Sequence, residues 1–337
     1  MPIKTIFGST PLSLELRALR IKKMRITLKE CAEIIGRYNS FLILTHASPD
    51  GDTLGSAFAL KRALDKIGKP SQVICNDEIP QKYSFLWDGI ANDTVDFEAV
   101  IAVDIADRKL LGEEINSKYG DRIVLAIDHH LSHRDYAENT FLCDKASNSE
   151  NIYALVNEMK ISIDSGLATC IYCGMATDTG CFLFTNTTAK THKTAAVLME
   201  MGADFALVNR KMFETKTMSY LKLEQMALST VELHFGGKCA IMQITQEMFR
   251  ESHSNDGECD GIASLPRKIE GVLIGITIRE KENGTYKVSI RTVEPYDAAE
   301  LCGHFGGGGH NRAAGCEFEC SLEETKSALL KLIGEKI

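Results

Sequence analysis

Four short stretches hold the residues of this chain that could do chemistry. HASPDGD offers His46, Asp50 and Asp52 within residues 46–52, and VDIAD (103–107) carries Asp104 at the end of an apolar run. IVLAIDHH (123–130) closes on Asp128, His129 and His130, and ATDTG (176–180) contains Asp178. Carboxylates are hard oxygen donors for divalent cations, and imidazole is their usual nitrogen donor. A carboxylate on a central strand can bridge two cations while His46 and His129 each serve one. Two cations roughly 3.5–4 Å apart would hold an activated water and neutralise both the attacking and the leaving oxygen of a phosphoryl group. Mixed oxygen and nitrogen ligation suits Mn²⁺, with Mg²⁺ or Co²⁺ as alternatives, and the lack of thiolate argues against structural zinc. Taken singly, each residue has a plainer role. Asp50 and Asp52 could be turn and helix-cap residues, Asp104 a loop residue, and Asp178 the end of a helix. Taken together with two histidines, they predict one polynuclear site.

A second signal lies far downstream. GHFGGGGHNRAAG (303–315) places Gly306, Gly307, Gly308 and Gly309 directly before His310. Glycines at that density let backbone amides approach an anion, and a histidine can hydrogen-bond a phosphate; a flexible turn is the plain alternative. Arg291, in KVSIRT, reads as a strand residue able to make a bidentate phosphate contact, or as a solvated surface arginine.

The elements that must position these residues follow from the apolar pattern. Thr27-x-x-Glu30 is a capping box opening a helix to about Tyr38. FLILTH (41–46), SQVICN (71–76), AVIAVD (99–104) and RIVLAID (122–128) read as buried strands, with a helix over 53–68 and others at about 147–159, 165–178 and 189–201. Such β/α alternation with continuous apolar strands predicts a parallel sheet covered by helices on both faces, whose ligands bind beyond the carboxyl ends of the strands. His46, Asp50, Asp52, Asp104 and Asp128–His130 all fall there. A linker is expected at 203–218. After it come a helix at 217–231, a hairpin-like segment (234–245), a strand pair joined by KENG, a helix near 297–303, a strand near 315–320 and a last helix opened by Ser321-x-x-Glu324. The chain is therefore expected to be α/β, with residues 24–202 as a catalytic domain and 219–337 as a smaller α+β domain.

Bulk properties narrow the partners. A length of 337 residues suffices for two domains, and a net charge of −8 disfavours long duplex nucleic acid while leaving room for a small phosphorylated substrate. No apolar run is long enough to span a membrane. The 11 cysteines lack framework spacing and read as free thiols in a reducing cytoplasm. Residues 1–23 read as an extension without assigned function, or as a start placed upstream of one at Met24.

HASPDGDTLGS, VDIAD, DHH and ATDTG, in this order, resemble the four motifs of the DHH phosphoesterases, and GGGGHNRAAG resembles the signature of their DHH-associated C-terminal domain of the first type. Coverage runs from about residue 25 to the end. Motif spelling and length are most similar to the stand-alone bacterial enzymes that degrade very short RNA and dephosphorylate 3′-phosphoadenosine 5′-phosphate (pAp). The resemblance implies two Mn²⁺ ions held by His46, Asp50, Asp52, Asp104, His129 and Asp178, with Asp104 bridging. It implies that Asp128 orients a neighbouring ligand and that His130 faces the substrate phosphate. Arg291 and Gly307–His310 would clasp a short single-stranded RNA or small nucleotide. Within the same chemistry, hydrolysis of cyclic di-AMP or pApA is the alternative; from another class, a non-catalytic nucleotide-binding regulatory module. The sequence leaves a homodimer open.

Overall fold

Apolar runs bounded by polar turns become the strands of two sheets. The computed structural model describes residues 24–259 and 261–337, so the extension read at 1–23 lies outside the described residues. They divide into two units, with the boundary between Thr215 and Lys216.

In the first unit the elements run β1 (Met24–Arg25), α1 (Leu28–Arg37), β2 (Phe41–Leu44), α2 (Gly51–Lys66), β3 (Ser71–Ile74), β4 (Ala99–Val103), α3 (Glu113–Tyr119), β5 (Ile123–Asp128), β6 (Asn139–Leu142), α4 (Asn148–Glu158), α5 (Ser165–Asp178), α6 (Ala189–Glu200) and α7 (Phe205–Asn209). The six described strands are all parallel, in the order β1-β6-β5-β4-β2-β3. Alternate residues serve opposite faces. Phe41, Ile43, Ile101, Leu125 and Ile127 pack with residues of α1, α2, α4 and α5. Leu42, Leu44, Val100 and Ala126 pack with Ile115 and Tyr119 of α3 on the other face. Burial on both faces is why these strands show no polar alternation. From β2 the chain steps outward to β3, then returns to β4 on the opposite side of β2. That reversal opens a crevice at the carboxyl ends of β2 and β4.

Two segments differ from the sequence reading. β6 has only four residues, too few for a periodic signal, and is defined by pairing with β5 in the register Leu125↔Asn139 to Asp128↔Leu142. The stretch expected as a linker is partly helical: α7 is followed by a π-helical turn (Arg210–Glu214), and Val208 is buried in the first core. Asp204 starts this helix, its carboxylate accepting from the Leu207 amide while its own amide donates to Thr169 Oγ1, both at 2.9 Å. A polar-looking segment folds because it is capped.

The second unit contains α8 (Met218–Leu228), β7 (Glu232–His234), β8 (Cys239–Ile244), α9 (Gln246–Ser252), β9 (Ile274–Glu280), β10 (Tyr286–Thr292), α10 (Ala298–Gly303), β11 (Gly308–His310), β12 (Ala313–Phe318) and α11 (Leu322–Gly334). Its sheet runs β11-β12-β10-β9-β8-β7 and is antiparallel except for β8 beside β9. α10 and α11 pack on one face, and α8 and α9 on the other.

Candidate metal centre

Three neighbouring strand ends and two helix ends build the centre. His46 follows β2 by two residues, Asp104 comes directly after β4, and His129 directly after β5; β2, β4 and β5 are adjacent. Asp50 is the N-cap of α2 and Asp52 lies in its first turn, while Asp178 is the last residue of α5. Asp104 adopts a left-handed backbone, φ 60°, and its amide still donates to Ile127 O at 2.9 Å. Aspartate tolerates that conformation better than most residues, and here it carries the chain off the strand end.

The side chains converge. His46 Nε2 lies 3.6 Å from Asp50 Oδ1 and 4.0 Å from Asp104 Oδ2. His129 Nε2 lies 3.4 Å from Asp104 Oδ1 and 4.0 Å from both Asp52 Oδ2 and Asp178 Oδ2. All six residues expected as ligands fall into cation-sized groups: His46, Asp50 and Asp104; Asp52, His129 and Asp178; and Asp104, His129 and His130. Asp104 and His129 each belong to two of them.

The surroundings fix how these atoms point. His46 Nδ1 is 2.8 Å from Ala47 O and His129 Nδ1 is 3.1 Å from Lys145 O. A carbonyl only accepts, so both rings donate through Nδ1 and turn Nε2 toward the carboxylates, an arrangement typical of metal-bound imidazole. The buried Asp52 carboxylate accepts from the backbone amides of Asn148 (2.5 Å) and Ser149 (2.9 Å) at the start of α4. Asp50 Oδ1 accepts from the amides of Asp52 and Thr53 at 3.0 Å each, so capping α2 and facing His46 are compatible roles. Asp104 Oδ1 is buried and makes no directed hydrogen bond among the described residues; the imidazoles of His129 and His130 stand 3.4 Å and 3.7 Å away. A buried carboxylate oxygen held by no well-formed hydrogen bond is costly unless a cation meets it. This donor set fits a pair of hard divalent ions.

Asp128 has a different position. It is fully buried, belongs to none of the three groups, and accepts from His129 N (2.8 Å), His130 Nδ1 (2.8 Å) and His133 Nδ1 (2.5 Å). Burial works against its charge, but the hydrogen bonds from His130 and His133 prevail and hold its carboxyl well below the usual range. His133 was not singled out in the sequence; the available signal was a third histidine five residues after Asp128. The Asn148 and Ser149 amides carry no side-chain signal at all.

Burial and neighbouring charges shift the titration of most of these groups. Burial, followed by the charges of Asp104 and Asp178, pushes the Asp52 carboxyl well above its ordinary range. Burial also raises Asp104, and raises Asp178 to about 6 against the pull of His129. Burial disfavours charged imidazole, yet the carboxylates outweigh it and raise His46 to about 9 and His129 to about 10. Without metal, both rings therefore carry a proton on Nε2 at neutral pH, and a cation must displace it. Mn²⁺ binding at pH 7 is expected to release two or more protons, from the two rings and from the raised carboxyl of Asp52, and affinity to fall as pH drops. Titration calorimetry in buffers of different ionisation enthalpy measures that number; heats independent of buffer would contradict it.

In the second unit, Arg291 on β10 pairs with Ala313 of β12, and Ala313 pairs with His310 of β11. Directly opposed residues share a face, so Arg291 and His310 flank a small alanine on one side of the sheet, about 10 Å apart at the backbone. The glycine run is not a free turn. Gly308 to His310 form the edge strand, and a Cβ on Gly307 or Gly309 would lie 2.2 Å from Gly315 O or 2.6 Å from Ala313 O. Those two glycines are explained by strand contact, whereas Gly308 has open space around it.

Comparison with known proteins agrees with this geometry. Residues 40–175 match the family model described as the DHH family, N-terminal domain, and residues 225–337 match the DHHA1 domain. A bifunctional oligoribonuclease and PAP phosphatase, NrnA, of Thermus thermophilus is 29% identical over 325 residues, covering 94% of this chain and 95% of that protein. Its namesake from Bacillus subtilis is 27% identical, covering 85% and 91%. Among solved structures, an exopolyphosphatase-related protein from Bacteroides fragilis superposes with a TM-score of 0.81 at 26% identity, covering 90% of this chain and 95% of that one.

Proposed function

Because this chain belongs to the DHH family and carries a DHHA1 domain after its N-terminal domain, we propose that it is a metal-dependent phosphoesterase that hydrolyses short oligoribonucleotides and pAp, the substrates named for its relatives. The observation that carries the reading is the buried Asp104 carboxylate, which shares in two of the three cation-sized groups formed with residues at the ends of β2, β5, α2 and α5.

His46, Asp50, Asp52, Asp104, His129 and Asp178 would hold two divalent ions, Mn²⁺ first and Mg²⁺ or Co²⁺ as substitutes, with Asp104 common to both. Such ions supply the charge that activates water and offsets that of a phosphoryl group. The protein's own residues do the rest. Asp128 accepts from His130 Nδ1, leaving Nε2 of that half-exposed ring to meet a phosphoryl oxygen. Arg291 and His310, on one face of the second sheet, suit a substrate phosphate, and the open Gly308 beside them leaves room for a nucleotide. Net negative charge limits the partners to short chains rather than duplexes. Among the described residues, no helix is long and apolar enough to cross a membrane.

The test is a product assay with Mn²⁺ on pAp, di- to pentaribonucleotides, pApA, cyclic di-AMP and pyrophosphate. Turnover of pAp and the short RNAs, abolished by chelation and restored by Mn²⁺, is the expected result. Preference for cyclic di-AMP or pApA would move the assignment to the cyclic dinucleotide branch. No turnover of any phosphoester would leave a nucleotide-binding module.

A further inference from the structure

We propose that His133 is a positioning residue for His130, acting through Asp128; the inference rests on the phosphoesterase reading. The turn 130–133 is closed by the His133 amide donating to His130 O at 3.0 Å, which folds the His133 ring back beneath the end of β5. The ring is fully buried, and its Nδ1 lies 2.5 Å from Asp128 Oδ2. Its Nε2 is also buried and has no hydrogen-bond partner among the described residues. The one directed bond of this side chain therefore goes to Asp128. On its other edge it packs on Tyr136, with ring centroids 5.1 Å apart, and the Tyr136 hydroxyl donates to Ile105 O at 2.9 Å.

The two carboxylate oxygens of Asp128 have separate duties. Oδ1 receives His129 N and His130 Nδ1, both at 2.8 Å, and Oδ2 receives His133. With Oδ2 held, the carboxylate cannot rotate about its Cβ–Cγ bond, and Oδ1 stays aligned with His130. That alignment keeps His130 Nδ1–H on Asp128 and turns Nε2 outward, where the protonated ring can donate to a phosphoryl oxygen. Without His133, Oδ2 would be a buried acceptor lacking a donor, and Asp128 would turn to find one. His130 would then sample several ring orientations. Only one of those presents the correct nitrogen to the phosphate.

His133→Leu removes the donor at similar volume, and His133→Asn restores one, since an asparagine amide nitrogen sits where Nδ1 does. With Mn²⁺ and pAp, His133→Leu is expected to lower kcat by about tenfold or more, as loss of an orienting partner does. KM and Mn²⁺ affinity should stay within about twofold of wild type, and His133→Asn should recover most of kcat. NMR of the imidazole N–H groups should show a His130 Nδ1–H protected by its bond to Asp128 in wild type and in His133→Asn, and one exchanging with water in His133→Leu. Wild-type kcat in His133→Leu, or an equally protected His130 Nδ1–H there, would overturn the proposal. If His133→Leu does not fold, His133→Gln, which displaces the donor by one methylene, replaces it, and retention of full kcat overturns the proposal in the same way. A wild-type protein that turns over no phosphoester would remove the enzymatic reading, while the NMR comparison would still decide whether His133 positions His130.

Discussion

Asp104→Asn is expected to lose about 10³-fold or more in turnover of pAp and short RNA, while the metal-free protein melts at the same temperature as wild type or higher. The two halves of this expectation have one cause. Asp104 shares in two of the three cation-sized groups, so neutralising it would remove a ligand from both of the proposed ions at once. The same carboxylate is buried, and burial raises its pKa against the pull of His129. A carboxyl raised in the folded state stabilises nothing at neutral pH. Its cost is absent below the ordinary carboxylate range, grows as pH rises through that range, and is full above the raised value. Asparagine keeps the shape and removes the charge, and with it that cost. Thermal melts with and without Mn²⁺ check this. Wild type should gain stability on adding the ion, by mass action, and Asp104→Asn should gain almost none. A variant that keeps both turnover and the Mn²⁺-dependent rise would remove Asp104 from the centre.

This opposition between stability and function explains what the sequence made legible. A site built at strand ends needs strands, and β2, β4 and β5 are written as unbroken apolar runs because both their faces are covered. The residues following them are polar for no reason of packing, so His46, Asp104 and His129 stood out. Asp50 was legible as a cap and as a candidate ligand, and the geometry makes the two roles compatible. What lacked a local signature was supplied by distant partners. The four residues of β6 become a strand through β5. His133 looks like any surface histidine until the turn at 130–133 buries it against Asp128. The amides that hold Asp52 belong to a helix that begins 96 residues later. The glycine run was read as a cradle for an anion, yet Gly307 and Gly309 are required by the approach of β12, which pattern alone cannot distinguish.

Gly174→Ala offers the second large effect, and its sign separates helix propensity from packing. Gly174 lies inside α5, where alanine is favoured over glycine by about 1 kcal/mol. On propensity alone the substitution should stabilise. Its Cβ, however, would lie 1.9 Å from Ser149 Oγ, 2.7 Å from Ser149 Cβ and 2.5 Å from Asp52 Oδ1. The serine hydroxyl can rotate, but its Cβ moves only with α4. Asp52 cannot retreat either, because the Asn148 and Ser149 amides hold it. Gly55, across from it on α2, is equally tight: its Cβ would meet Cys170 O at 2.6 Å and Gly174 N at 2.9 Å. Three helices meet here through glycine, and relieving the clash must move the carboxylate. Gly174→Ala is therefore expected to destabilise by about 1–3 kcal/mol, the usual cost of overpacking. It should also weaken Mn²⁺ binding by about tenfold or more, because a ligand is displaced with the helix. Gly36→Ala is the control: Gly36 lies in α1 with nothing within 4 Å of its Cβ, so it should gain about 0.5–1 kcal/mol and leave Mn²⁺ affinity unchanged. Urea unfolding and Mn²⁺ calorimetry on the two variants measure both effects. If both variants gain stability alike and bind Mn²⁺ as wild type does, the close approach of α5 to Asp52 is not what shapes the centre.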